Sequence, residues 1–282
     1  MLQNSFIFLP KIGLKKEQGL WNQGILHWDN FLQATQAQQM RGISTKIKGY
    51  YDQQLHEAKK ALFAEDSFYF QQRLKSNQMW RLYEAFKDQA VFLDIETSGW
   101  YYGDITVIGM YDGYDTKTMV KGFTFDKKLL KKTLEAYKLL VTFNGSSFDL
   151  PIIERFFQQV VPKIPHIDLR HVCAKLGWTG GLKQIEKQQG IQRDPAVQTP
   201  EASDPVYLWQ QYQATGEKEY LNTLVKYNEE DVINLKPLAE QAIKRLWNYT
   251  YPPHEPTKHH APTTQKTTQT ASADEAGQNQ AH

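Results

Sequence analysis

Phe92-Leu-Asp-Ile-Glu-Thr-Ser-Gly99 is a short apolar run that carries two carboxylates two residues apart and ends in turn residues. Side chains alternate across a strand, so Asp94 and Glu96 share one face while Leu93 and Ile95 share the other. Adjacent carboxylates on one face repel unless positive charge lies between them. Mg²⁺ and Mn²⁺, which take oxygen ligands from a few carboxylates, meet that need. Taken alone the stretch also fits a solvated strand face, and the choice rests on whether further ligands converge on it.

Outward from this stretch, the period of the sequence changes at Gln89. On its C-terminal side, Ala90 to Ile95, Asp104 to Met110 and Thr118 to Phe125 read as three strands, with Tyr111-Asp-Gly-Tyr-Asp-Thr as hairpin chemistry between the second and third. A lysine-rich amphipathic helix (127–138), a buried strand (139–143), a helix (150–160), a short strand (166–168) and helices from Leu169 and Gly181 follow. The order βββ, α, β, α, β, α predicts an α/β fold, a ribonuclease H-like mixed β-sheet flanked by helices.

Two further acidic elements join the first. Asn144-Gly-Ser-Ser-Phe-Asp149 begins at the C-terminal end of a strand and enters a helix, where ligands collect in open α/β sheets. Asp149 there also suits a helix N-cap. Tyr227-Asn-Glu-Glu-Asp231 lies in a helix over 218–235, so Tyr227 and Asp231, four apart, share a face. A tyrosine hydroxyl one turn from a carboxylate can orient water beside a metal that the carboxylate holds. Glu229 and Glu230 read as solvated, and Pro237 is expected to kink or interrupt the helix.

In this order and on these elements, the three stretches resemble the Exo I, Exo II and Exo III motifs of the DEDD superfamily of 3′-to-5′ exonucleases, a DnaQ-like group of ribonuclease H-like enzymes. Tyr227 at the Tyr-x-x-x-Asp position matches the DEDDy branch, and Asn144 to Asp149 resembles the proofreading domain of family B DNA polymerases. Leu9 to Leu32, Asp168-Leu-Arg-His-Val-Cys-Ala-Lys-Leu-Gly and Gly180-Gly-Leu-Lys-Gln-Ile-Glu are similar to YprB-like proteins of the same superfamily. The resemblance implies four metal carboxylates, Asp94, Glu96, Asp149 and Asp231, holding two divalent cations, Mg²⁺ or Mn²⁺, about 4 Å apart across the scissile phosphate. Asp94 would bridge the two ions, Glu96 and Asp231 would serve the nucleophile's ion and Asp149 the other. It further implies that Tyr227 orients the attacking water and that Thr97, Ser98 and Asn144 touch the terminal nucleotide. The implied activity is phosphodiester hydrolysis of DNA or RNA from the 3′ end of a single strand, releasing nucleoside 5′-monophosphates. A non-catalytic nucleic-acid-binding module of the same fold and a metal-dependent endonuclease using the same carboxylates are the rival readings.

Upstream, residues 1–88 read as an N-terminal helical extension. Within a compact helical unit over residues 5–33, Leu9-Pro-Lys-Ile-Gly-Leu-Lys-Lys with Leu20 and Gly24-Ile25 resembles a helix-hairpin-helix, whose helix start holds a nucleic-acid phosphate. A plain helical hairpin with Trp21 and Trp28 as core anchors explains the same residues. From Tyr50 to Phe86 two helices are expected, with a break or cap at Asp66-Ser67 and with the aromatics mostly in the core. Basic residues gather before position 90, at Lys15-Lys16, Lys46 to Lys48, Lys59-Lys60, Arg73 to Lys75 and Arg81 to Lys87.

The net charge of +2 in 282 residues is too weak to imply nucleic acid by itself. No apolar run approaches a membrane span and no signal pattern opens the chain, so a cytoplasmic protein is expected. The single cysteine, Cys173, excludes an intramolecular disulfide and reads as a small core residue. Asp168 reads as the cap of the following helix, with no catalytic part for His166 or His171, and Gly180-Gly-Leu-Lys183 as a tight turn before a packed helix. Residues 89–250 would form the exonuclease domain. Residues 251–282, rich in Pro, Thr, Gln and Ala, would form a disordered tail.

Overall fold

Ala90–Thr97 forms β1, the middle strand of a five-stranded sheet in the computed structural model, which describes residues 1–34, 42–99 and 103–251. On one side β2 (Ile105–Tyr111) runs antiparallel to β1, and β3 (Thr116–Val120) antiparallel to β2. On the other side β4 (Leu139–Thr142) and then β5 (His166–Asp168) run parallel. The hairpin turn is made by Asp112, whose Oδ1 accepts from the N–H groups of Tyr114 and Asp115 at 3.0 and 2.9 Å, and by Gly113 at φ +98°. β3 is shorter than its sequence pattern: the chain turns after Val120, whose N–H donates to Thr124 Oγ1, and Phe123 is left exposed.

The N-terminal region supplies α1 (Leu14–Trp21), α2 (Trp28–Gln33), α3 (Thr45–Phe63), α4 (Ser67–Gln71) and α5 (Tyr83–Phe86). The break before α4 is a cap, with Asp66 accepting from the Tyr69 N–H. The long second helix expected up to Phe86 is instead α4, a 3₁₀ segment over Ser76–Leu82, and one turn of α5. Packing overrides helical spacing here, because Phe70, Leu74, Trp80, Leu82, Tyr83 and Phe86 are all buried, on several sides of the segment. Trp21 and Trp28 are core anchors, each 1% exposed, and their indole N–H groups donate to the carbonyls of Asn4 and Ser5.

Downstream come α6 (Lys127–Glu135), α7 (Asp149–Phe157), α8 (Leu169–Lys175), α9 (Leu182–Gln189), α10 (Pro205–Thr215) and α11 (Lys218–Thr250). Alternation on the sheet divides the core. Ala90, Phe92, Leu139 and Val141 join the N-terminal helices, α8, α9 and α11. Val91, Leu93, Ile95 and Leu140 join α6 and α7 on the opposite face. Cys173 lies fully buried among the first set, and burial pushes its thiol up to about 12.

α11 continues through Pro237 without interruption. A proline inside a helix costs about 3 kcal/mol. Leu235, Leu238, Ala239, Ala242, Ile243 and Leu246 are all buried around it, at about 1.5–3 kcal/mol for each large aliphatic side chain, and outweigh that cost. Tyr251 stacks on Trp247 at 4.9 Å between ring centroids. The tail expected from there, with His254, His259 and His260, otherwise lies outside the described residues. No helix among the described residues is long and apolar enough to cross a membrane.

Candidate metal centre

β1 presents Asp94 and Glu96 on one face, and a register shift between Glu96 and Thr97 ends its regular pairing with β2 just beyond them. α11 crosses that face and delivers Asp231. One carboxylate oxygen from each of Asp94, Glu96 and Asp231 lies within 4.8 Å of the others. Asp149, the first residue of α7, is 2% exposed, and its Oδ1 accepts from the Ile95 N–H at 3.0 Å. It therefore docks on the backbone between Asp94 and Glu96, alongside the three that converge. Its placement is not that of an N-cap, a position held by Phe148.

The turn before Asp149 is held from β5. Asn144 takes a left-handed φ of +67°, and a Cβ on Gly145 would lie 2.2 Å from Thr142 Oγ1, so only glycine fits there. The Asp168 carboxylate accepts from the N–H groups of Asn144 and Ser146 at 2.8 and 3.1 Å, while also capping α8 through the Arg170 N–H. The Asn144 side chain accepts from Arg170 Nη1 at 2.8 Å. Thr97 Oγ1 donates to the Gly99 carbonyl and Ser98 Oγ accepts from the Asp104 N–H, so both side chains shape the loop leaving β1. His166 meets Thr142 Oγ1 at 2.9 Å, and burial lowers its pKa to about 4.

Tyr227, one turn before Asp231, is 8% exposed. Burial, followed by the fields of Asp231, Glu96 and Asp94, raises its hydroxyl above the ordinary range and keeps it neutral. The same causes act on the acids. Burial, then the Asp149, Asp231 and Glu96 carboxylates, push Asp94 well above the usual range. Burial, then Asp231 and Asp149, do so for Glu96. Burial brings Asp149 up to about 7 against the hydrogen bonds it receives, and brings Asp231 up to about 6 against the pull of Arg193. The all-oxygen donor set and its excess of buried negative charge fit a hard divalent cation.

Several residues of the site carry no signal in the sequence motifs. Arg193, on the segment after α9, pairs with Asp231 and with Glu186. Lys183 sits 4.2 Å over the Tyr227 ring, so the turn at Gly180-Gly181 also aims a cation at the site. Glu229 and Glu230, read as solvated, are half-buried and accept from Thr118 Oγ1 and the Asp194 N–H. Asn228 donates to Asp94 Oδ2 at 2.9 Å, which fixes that carboxylate. It reaches β1 because Gly109, paired opposite Asp94, leaves room: a Cβ there would lie 2.1 Å from Asn228 Oδ1. Gly109→Ala is therefore expected to cost about 1–3 kcal/mol of stability by overpacking and to weaken divalent-cation binding. Urea denaturation and Mn²⁺ titration of the variant check the two effects.

A model of the RNase H superfamily matches residues 91–243, more than half of the chain. The chain belongs to the RNase H superfamily. This match takes in the sheet from β1 onward and all four acidic positions. No curated protein matches the chain. Among solved structures, the family B DNA polymerase of the hyperthermophilic archaeon Pyrobaculum calidifontis is 14% identical with a TM-score of 0.45, over 57% of this chain and 25% of that one. Escherichia coli RNase D, an exoribonuclease involved in structured RNA processing, is 21% identical with a TM-score of 0.41, over 60% of this chain and 44% of its own. The chain thus spans a quarter of one neighbour's length and under half of the other's.

Proposed function

We propose that this RNase H superfamily member is a DEDDy-type, YprB-like 3′-to-5′ exonuclease that hydrolyses DNA or RNA with two Mg²⁺ or Mn²⁺ ions. The observation that carries this reading is the convergence of Asp94, Glu96 and Asp231 oxygens within 4.8 Å, with Asp149 docked beside them and Tyr227 one helical turn away. The four carboxylates would hold the cations, which supply positive charge to the scissile phosphate and acidify water.

The other steps fall to the chain's own side chains. Asn228 keeps Asp94 in one rotamer. The Tyr227 hydroxyl, neutral at working pH, orients the attacking water. Asp168 and Gly145 preserve the turn that aims Asp149. Thr97, Ser98 and Asn144 line the loops that would receive the terminal nucleotide. Water oxygen bonds to phosphorus, the bond to the 3′ oxygen breaks, and that oxygen takes a proton, leaving a shortened strand and a nucleoside 5′-monophosphate.

The test is incubation of 5′-labelled single strands, DNA and RNA side by side, with Mg²⁺ or Mn²⁺. Stepwise shortening that stops in EDTA and leaves a closed circular substrate intact supports the reading. Cutting of the circle would make the enzyme an endonuclease. Salt-sensitive binding without cleavage would make it a binding module.

A further inference from the structure

We infer that Arg193 is the resident counter-ion of the carboxylate site, and that a divalent cation displaces its guanidinium from Asp231 Oδ1. The inference rests on the metal-centre reading above and concerns how that centre fills.

Gly190, at a left-handed φ of +73°, ends α9 and turns the chain back along the helix. Arg193 then lies against Glu186, with Nε at 2.5 Å and Nη2 at 2.8 Å from its two oxygens. The same Nη2 contacts Asp231 Oδ1. The side chains of Arg193, Glu186 and Asp231 are 7%, 1% and 10% exposed, so solvent screens these contacts little.

A guanidinium stays charged throughout the pH range of proteins. It therefore cannot release Asp231 by losing a proton, and a dication arriving at the same carboxylate meets a fixed positive charge. Displacement frees Asp231 Oδ1, the oxygen the guanidinium holds, and Glu186 makes it feasible. With its own carboxylate, 1% exposed, it keeps the guanidinium paired after Asp231 is given up, avoiding the penalty of an unpaired buried charge.

Two details support a movable role over a purely structural one. Arg193 Nη1 is buried with no hydrogen-bond partner, so the guanidinium has spare donor capacity with which to re-pair as it moves. Lys183 faces the same carboxylates but rests over the Tyr227 ring and donates to the Ser203 carbonyl at 3.3 Å, leaving the Asp231 contact to Arg193.

The experiment is calorimetric titration of Mn²⁺ into metal-free protein at pH 8. Arg193→Gln is expected to bind Mn²⁺ about tenfold or more tightly than wild type, the scale of a competing interaction at one site. Lys187→Gln removes an equal charge from the exposed side of α9 and is expected to change affinity by less than about twofold, as a screened surface charge does. In the wild-type protein, ¹⁵N-arginine spectra should show the Arg193 guanidinium resonance moving on saturation with Mg²⁺, so the answer does not depend on the variant's stability. Unchanged or weaker Mn²⁺ affinity in Arg193→Gln, or a guanidinium resonance unmoved by Mg²⁺, overturns the inference. Failure of every form to bind Mn²⁺ removes the metal centre and the inference together. Metal binding with the expected competition but no strand shortening would retire only the nuclease reading.

Discussion

Asp94→Asn should abolish metal-dependent strand shortening, by about a thousandfold or more, the scale for a member of a catalytic unit. It should also make the metal-free protein melt at a higher temperature than wild type at pH 8. The two effects share one cause. Asp94, Glu96, Asp149 and Asp231 are crowded in a site that burial and mutual repulsion make costly to ionise. Asparagine keeps the shape, and its oxygen can still accept from Asn228 Nδ2, while one negative charge is lost. Relief of about 1 kcal/mol raises the melting temperature by about 2–4 °C in a chain of this size.

The sign follows from linkage. A carboxyl whose pKa is higher in the folded protein binds more protons there than in the unfolded chain, so it favours folding at low pH and loses that contribution as pH rises. For Asp231 and Asp149 the contribution is complete below the unfolded value of 3.8 and is lost through about 6 and about 7. Metal-free wild type is therefore expected to lose melting temperature between about pH 5 and pH 8, and saturating Mg²⁺ to restore it. Differential scanning calorimetry in EDTA and in Mg²⁺ measures both. A melting temperature that ignores Mg²⁺ and pH would retire the reading of these acids as a metal centre.

Glu17→Met should cost about 3–5 kcal/mol, the scale for removing one partner of a buried ion pair. Glu17 and Arg81 are both fully buried, with Oε2 and Nη2 facing at 2.9 Å. Glu17 Oε1 also accepts from Ser5 Oγ and from the N–H groups of Phe6 and Ile7, at 3.0, 2.7 and 3.1 Å. Arg81 in turn donates to Gln78 Oε1 and Ser5 Oγ. One carboxylate thus ties α1 and residues 5–7 to the segment that leads into β1. Arg81→Met should cost less than Glu17→Met, since the carboxylate keeps three other donors, whereas loss of Glu17 orphans those donors and the guanidinium together. Urea unfolding of the two variants gives the order. Mn²⁺ affinity below the transition should match wild type, since neither residue touches the carboxylate site.

The local features of the chain were open to reading because each has a short-range cause. Alternation across β1 places Asp94 and Glu96 together, Asp112-Gly113 turns the hairpin, Asp66 and Asp168 accept from N–H groups two or three residues on, and Trp21 and Trp28 anchor the two short N-terminal helices in the core. Pro237 and the segment from Phe70 to Phe86 departed from their local propensities, because burial on several sides outweighed a few kcal/mol of backbone preference.

By itself, then, the sequence determined the order of the elements, the strand that carries two of the acids and the sites of the other two, because periodicity and turn chemistry act over a few residues. The tertiary structure alone decided which charges meet: Arg193 with Asp231, Asn228 with Asp94, Glu17 with Arg81. These partners lie 38, 134 and 64 residues apart in the chain. Their pairing is set by where α11 and α1 come to rest, and by the absence of a side chain at Gly109, which no local pattern encodes.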